Sequence, residues 1–281
     1  MKFVKKFRLK NLIFFLFLFL YSTNIYAEIT RTFVTAIRPG TTGFINADGN
    51  ESKRDALENP FGVFVSPDGK TVFNSNNMTS DDHRCITQLE LSTPFELSTA
   101  TLVDESNILN TVALRSGGRD DCRDVYVSPD GKHMSVTNEQ ARIYDFDLPT
   151  PFSLRGATVK AGYLNPWVNQ TVRGDDIWFS NDGSKMFVID LAGDNLKEYT
   201  TVSPFTSIGV TIINTVDLTS EAAIDGTETA HDFFFNDTGQ TLMILVNDTG
   251  DGEHDDTIFQ FSLSVAFDTT TLTLVGSSVI S

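Results

Sequence analysis

Four tight turns of one kind divide this chain into four similar stretches. They are Val65-Ser66-Pro67-Asp68-Gly69, Val127-Ser128-Pro129-Asp130-Gly131, Phe179-Ser180-Asn181-Asp182-Gly183 and Phe235-Asn236-Asp237-Thr238-Gly239. A self-similar period of roughly 50–60 residues is the mark of a blade-type repeat. In the turn itself, Pro presets φ and Gly supplies the positive φ that closes it. Asn181 and Asp237 replace Pro in the last two copies, and both types suit a turn.

Aligning the copies on these turns produces columns. Val63-Phe64-Val65, Val125-Tyr126-Val127, Ile177-Trp178-Phe179 and Phe233-Phe234-Phe235 precede the turns. Such continuous β-branched and aromatic runs predict strands covered on both faces. A second strand follows at Val72-Phe73, Met134-Val136, Met186-Ile189 and Leu242-Leu245. A third alternates apolar and polar residues at 86–89, 143–146, 196–199 and 258–261. Pro94-Phe95, Pro151-Phe152, Pro204-Phe205 and Ala266-Phe267 then lead into a fourth, at 100–103, 157–159, 210–213 and 272–275. The fold class predicted is all-β: a β-propeller of four-stranded antiparallel blades with four clear repeats. Burial is expected to fall from the first strand of each blade to the third, and helix content to be near zero. A strand at 32–37 lies outside these units. It would pair at a seam, belong to a degenerate fifth blade, or accompany an incomplete ring that closes by dimerising.

The turn followed by a short apolar strand resembles the repeat of bacterial propellers of the YVTN, lactonase-like and TolB-like groups. The stretch Pro94-Phe95-Glu96-Leu97-Ser98-Thr99-Ala100-Thr101 resembles repeats in secreted or phage-associated propellers. The likeness covers residues 60–281 and speaks to fold more than to function. What the lactonase-like resemblance implies is a divalent metal at the channel mouth that polarises a lactone carbonyl and activates water.

Residues 1–27 read as a secretory signal peptide. Lys2, Lys5, Lys6, Arg8 and Lys10 precede an apolar run at 12–21, and cleavage is expected after Ala27. An apolar run of about ten residues is short of the ~20 a bilayer span needs. Five positive charges and no carboxylate leave with the peptide, so net charge falls from −16 to −21. A chain this acidic repels nucleic acid and anionic lipid. Its expected setting is secreted or periplasmic, and residues 28–281 are expected to form one domain. Export makes a bridge between Cys85 and Cys122 feasible. The signal reads as bacterial, which leaves the sequons at Asn77, Asn169, Asn236 and Asn247 without consequence.

One column bears directly on function. Asp124, Asp176 and Asp232 occupy the same place just before the first strand, where repeat one has Gly62. Equivalent positions of a ring converge on the channel mouth. Three carboxylates there suit Ca²⁺ or Mg²⁺, and His231 or His254 would admit Zn²⁺. Alternatively each Asp caps backbone N–H groups where its innermost strand begins, and the residues alone leave both readings open. The Asp-rich loop 247–256 lacks EF-hand spacing. There is no G-x-S-x-G, H-E-x-x-H or phosphate-cradling loop. Three functions follow: a secreted module binding a protein, peptide or glycan; a lactonase-like hydrolase; or a structural, adhesive component of a surface assembly.

Overall fold

The structure, a computed structural model, describes residues 60–76, 86–103, 122–138, 142–160, 174–190, 194–221, 228–248 and 256–280. All belong to the compact unit spanning Ile37–Ser281. The segments 1–59, 77–85, 104–121, 161–173 and 249–255 lie outside the described residues. With them fall the signal peptide, the strand at 32–37, Cys85, His254 and most of the 247–256 loop.

Sixteen strands form four sheets of four. Blade one contains β1 (Pro60–Val65), β2 (Thr71–Asn76), β3 (Ile86–Leu91) and β4 (Ala100–Leu102). Blade two contains β5 (Cys122–Val127), β6 (His133–Asn138), β7 (Ile143–Asp147) and β8 (Thr158–Val159). Blade three contains β9 (Gly174–Phe179), β10 (Lys185–Asp190), β11 (Asn195–Thr200) and β12 (Thr211–Asp217). Blade four contains β13 (Glu228–Phe235), β14 (Thr241–Asp248), β15 (Asp256–Leu263) and β16 (Leu272–Ile280). Every neighbour is antiparallel and consecutive in sequence, so the protein is a four-bladed β-propeller. Its α-helical content among the described residues is one turn, Leu218–Glu221.

The turn residues do what their chemistry predicts. Gly69 N donates to Ser66 O at 2.8 Å, at a φ of 69° for the glycine. Ser66 Oγ donates to Asp68 Oδ1 at 2.6 Å and accepts from Thr71 N, so the hydroxyl bond holds the Asp68 carboxyl below its ordinary range. In blade four, Asn236 takes over by accepting from Thr238, Gln240 and Thr241.

The Pro-Phe pairs have a specific role. Phe95, Phe152, Phe205 and Phe267 all adopt a left-handed backbone, φ 54–59°. Each donates its N–H to the carbonyl of its own blade's turn glycine, Gly69, Gly131, Gly183 or Gly239, at 2.8–3.2 Å. Each ring lies against that glycine, where a Cβ would clash. One aromatic thus ties the entry of the fourth strand to the first turn, at about 1–2 kcal/mol of backbone strain.

The expected decline in burial toward the third strand is not observed. Ile86, Thr87, Gln88 and Leu89 of β3 are all buried, as are Ile143–Phe146 of β7. Gln88, Asp145 and Glu198 are buried because they clasp the next blade. Gln88 Oε1 accepts from Leu154 N at 2.8 Å. Asp145 Oδ2 accepts from Ser207 N at 2.7 Å and from the Thr206 and Ser207 hydroxyls, while Oδ1 accepts from Ser135 Oγ. Glu198 Oε2 accepts from Thr269 N at 2.9 Å, and Oε1 takes the Lys185 ammonium at 2.6 Å. In each case the donor N–H lies two residues beyond the next blade's left-handed Phe.

Cross-strand register extends this row inward. Phe64 pairs with Phe73 and Phe73 with Gln88; Tyr126 with Ser135 and Asp145; Trp178 with Phe187 and Glu198; Phe234 with Met243 and Gln260. Each row forms the front face of its blade. The residues on either side of the row's aromatic, such as Val125 and Val127, form the back face that receives the preceding blade. Innermost strands touch in series, β1 on β5, β5 on β9 and β9 on β13.

Candidate functional site

Every innermost strand breaks register where the Asp column lies. The shifts fall between Pro60 and Val63, Cys122 and Val125, Gly174 and Ile177, and Ala230 and Asp232. A β-bulge re-aims the local side chain and frees a backbone N–H. In blades one and two that N–H is recaptured by a hydroxyl on the second strand. Gly62 N donates to Ser75 Oγ at 2.6 Å and Asp124 N to Thr137 Oγ1 at 2.9 Å.

The bulges bring Asp124, Asp176 and Asp232 together. Asp124 Oδ2 accepts from Ile177 N at 3.2 Å, and Asp176 Oδ2 accepts from Phe233 N at 2.7 Å. Asp124 and Asp176 therefore each cap the first strand of the following blade. Asp176 Oδ1 also accepts from Ile177 N at 2.7 Å. Asp176 is 6 % exposed. Burial, then the charges of Asp124 and Asp232, push its pKa well above the carboxylate range. Burial also raises Asp124, to about 6, against the opposing hydrogen bond from Asp176. Gly62 completes the column in a different way. A Cβ there would come within 2.8 Å of Asp124 Cα and 2.9 Å of Arg123 O, so blade two can seat only against a glycine.

A second column, the middle residue of each apolar run before the turns, lies beside the carboxyls. Phe64, Tyr126, Trp178 and Phe234 form an edge-to-face ladder across all four blades. Successive ring centroids are 6.2, 5.7 and 5.3 Å apart, with interplanar angles of 67°, 67° and 75°. Each such pair contributes about 0.5–1.5 kcal/mol beyond its buried area. The signal was present in the alignment, since all four residues occupy the middle place of their strand.

The two columns meet in one cavity of about 370 Å³. Its aromatic walls are Phe61, Tyr126, Trp178, Phe233 and Phe234, and its polar groups are Arg123, Asp124, Asp176, His231 and Asp232. The Arg123 guanidinium lies 4.2 Å from the Phe61 ring centroid, a cation–π contact that joins blade two to blade one. Burial pushes the Tyr126 phenol above its ordinary range. The four residues expected at the channel mouth, Asp124, Asp176, Asp232 and His231, thus all line this cavity. Among the described residues no group of three or more His, Cys, Asp or Glu side chains is disposed to hold a metal ion. Cys122 is fully buried at the start of β5 and is not a free thiol. Its expected partner, Cys85, lies outside the described residues. No helix among the described residues is long and apolar enough to cross a membrane.

No family model and no curated protein sequence matches the chain. Solved structures do. A periplasmic gluconolactonase of Pseudomonas aeruginosa, PpgL, superposes with a TM-score of 0.50 at 14% identity, over 78% of this chain and 56% of that one. A protein from Lactobacillus plantarum superposes with a TM-score of 0.50 at 15% identity, over 79% of this chain and 57% of that one. The chain therefore spans little more than half the length of these propellers, and at such identity the likeness is one of fold.

Proposed function

We propose that this protein is an extracytoplasmic binding propeller whose hub cavity takes a small, neutral, polyhydroxylated ligand, a sugar or sugar derivative. The observation that carries this reading is the meeting of the aromatic ladder and the carboxyl row in one cavity. A volume near 370 Å³ with mostly apolar walls and a few convergent polar groups is the usual form of a small-molecule site. The Trp178 and Phe234 rings lining the cavity suit the C–H face of a pyranose. Asp124 and Asp232 oxygens accept from hydroxyls, and Arg123 donates. The chain's net charge of −16 disfavours anionic ligands and nucleic acid. Binding of neutral mono- and disaccharides is measured by the fluorescence of Trp178 in a Trp167→Phe background. Saturable quenching that is lost in Asp124→Ala supports the reading, and no quenching by any sugar in the panel removes it.

A second reading is lactone hydrolysis. It is favoured by Asp176, whose pKa burial and the neighbouring carboxylates push well above the carboxylate range, lying beside Asp124, which burial raises to about 6. A carboxylic acid and a carboxylate side by side can protonate a leaving oxygen and activate a water. The superposed gluconolactonase makes a sugar lactone the first substrate to try. Release of acid from gluconolactone above the spontaneous rate, abolished in Asp176→Asn, would support it.

A divalent cation on Asp124, Asp176, Asp232 and His231 is a further proposal for these residues. The ion would have to compete with the N–H groups of Ile177 and Phe233 for the Asp124 and Asp176 oxygens. Metal analysis of purified protein, with and without chelator, decides it.

A further inference from the structure

The blades of this propeller have complementary faces, and the repeat shows which surface fits which. The front row of each of the first three blades is buried against the next blade. Phe73 and Gln88, Tyr126, Ser135 and Asp145, and Phe187 and Glu198 are all buried. The same row in blade four is open. Phe234 is 48 % exposed, Met243 39 %, and Gln260 is exposed as well. Back faces show the mirror pattern. Val125 and Val127, Ile177 and Phe179, and Phe233 and Phe235 are buried, but Val63 of blade one is 66 % exposed and Val65 40 %.

The polar clasp ends at the same two places. Gln88, Asp145 and Glu198 each accept a backbone N–H from the following blade. The fourth member, the Gln260 side chain, makes no hydrogen bond among the described residues. The N–H that its counterparts would seek is that of Leu97, two residues beyond Phe95. Phe95 is 68 % exposed, whereas the equivalent Phe152 and Phe205 are half-buried and Phe267 is buried. Asp232 likewise caps no strand of a further blade among the described residues, although Asp124 and Asp176 each do. No contact as extensive as those between successive innermost strands joins β13 to β1 among the described residues.

We propose that a second copy of this chain occupies both open faces, front to back, so that two chains of four blades close one eight-bladed ring. The occupant is defined by the three interfaces already made. In those interfaces the front row meets the two apolar side chains on either side of the next blade's aromatic, Val125 and Val127, Ile177 and Phe179, or Phe233 and Phe235, and an N–H two residues beyond a left-handed Phe. Blade one of a second copy offers Val63, Val65 and Leu97 N–H in that arrangement. A two-fold axis then satisfies both seams at once, as closed homo-oligomers require. Eight blades lie within the range known for propellers. Asp232 would cap Val63 of the partner as Asp124 caps Ile177.

The test is the mass of the signal-free protein by light scattering, together with two face variants. Met243→Arg spoils the front and Val65→Glu spoils the back, and both positions are exposed and outside the hub cavity. Wild type is expected as a dimer with a concentration-dependent Tm. Each variant alone should be monomeric at concentrations where wild type is paired, at least ~100-fold weaker in association, with an unchanged β-sheet circular dichroism spectrum. Mixing the two variants should restore a dimer, because the mixed pair retains one wild-type seam. A monomeric wild type, with residues 28–59 or blade one itself filling the seam, overturns the proposal. So do larger polymers, or variants that fail to complement each other.

Discussion

Replacing Asp145 by alanine perturbs the joint between blades two and three and no part of the hub. Asp145 is 1 % exposed and accepts four hydrogen bonds, from Ser135 Oγ at 2.8 Å, Thr206 Oγ1 at 3.0 Å, Ser207 N at 2.7 Å and Ser207 Oγ at 3.0 Å. A hydrogen bond to a charged group contributes about 1.5–3 kcal/mol, and a buried donor left unpaired costs about 1–3 kcal/mol. The hydroxyls can rotate toward other acceptors, but the Ser207 N–H cannot. The contributions are not additive, and a total loss of about 3–5 kcal/mol is expected. At about 2–4 °C per kcal/mol for a chain of this size, Tm should fall by roughly 6–20 °C. Asp145→Asn keeps an acceptor for Ser207 N and should cost about 1–2 kcal/mol. Urea melts followed by circular dichroism measure both. A loss below ~1 kcal/mol for the alanine variant would refute the idea that third-strand polar residues are buried because they clasp the next blade.

Two glycines separate backbone strain from ring contact. Gly131 and Gly156 have φ of 72° and 75°, but a Cβ at Gly131 meets the Phe152 ring and its N at 2.8 Å, while at Gly156 it meets only Pro149 Cγ at 3.3 Å. Gly156→Ala should cost about 1 kcal/mol and Gly131→Ala about 2–4 kcal/mol, read from the same melts. The pH dependence has a definite sign. Asp124 and Asp176 have folded-state pKa values above their unfolded ones. The Asp124 contribution to stability is therefore complete below the unfolded pKa near 3.8 and is lost as pH rises through about 6, and that of Asp176 is lost as pH rises through its own raised pKa. Tm of wild type should decline between pH 5 and 7 relative to Asp124→Asn, and a parallel pair of profiles would contradict the assignment. The proposed Cys85–Cys122 bridge would add about 3–4 kcal/mol. Alkylation of the unfolded, unreduced protein should then leave both cysteines unlabelled, and labelling of either contradicts it.

Architecture was legible because it rests on local chemistry. Ser66, Asp68 and Gly69 encode a turn from their own hydrogen bonds and dihedrals, and the tandem copies repeat it. The Asp column was legible for the same reason, since Asp124, Asp176 and Asp232 align once the turns do. The roles of those carboxyls were not. Whether Asp176 binds an ion or caps Phe233 N depends on the distance between blades, which spacing along the chain does not encode. The burial of Gln88, Asp145 and Glu198 was misread for a related reason. Alternating polar residues on a third strand look solvent-facing unless the next blade supplies N–H donors two residues past a left-handed Phe. The aromatic ladder was visible as a column, but its edge-to-face contact across blades belongs to tertiary structure.

The hub cavity as the ligand site is tested most directly by isothermal titration of the signal-free protein with neutral sugars and sugar lactones, in wild type and in Trp178→Ala. The account predicts one ligand per cavity, with an affinity at least tenfold weaker in the variant, since an aromatic anchor of this kind contributes upward of ~1.4 kcal/mol. Binding of equal strength in Trp178→Ala, or no heat with any member of the panel, would contradict it.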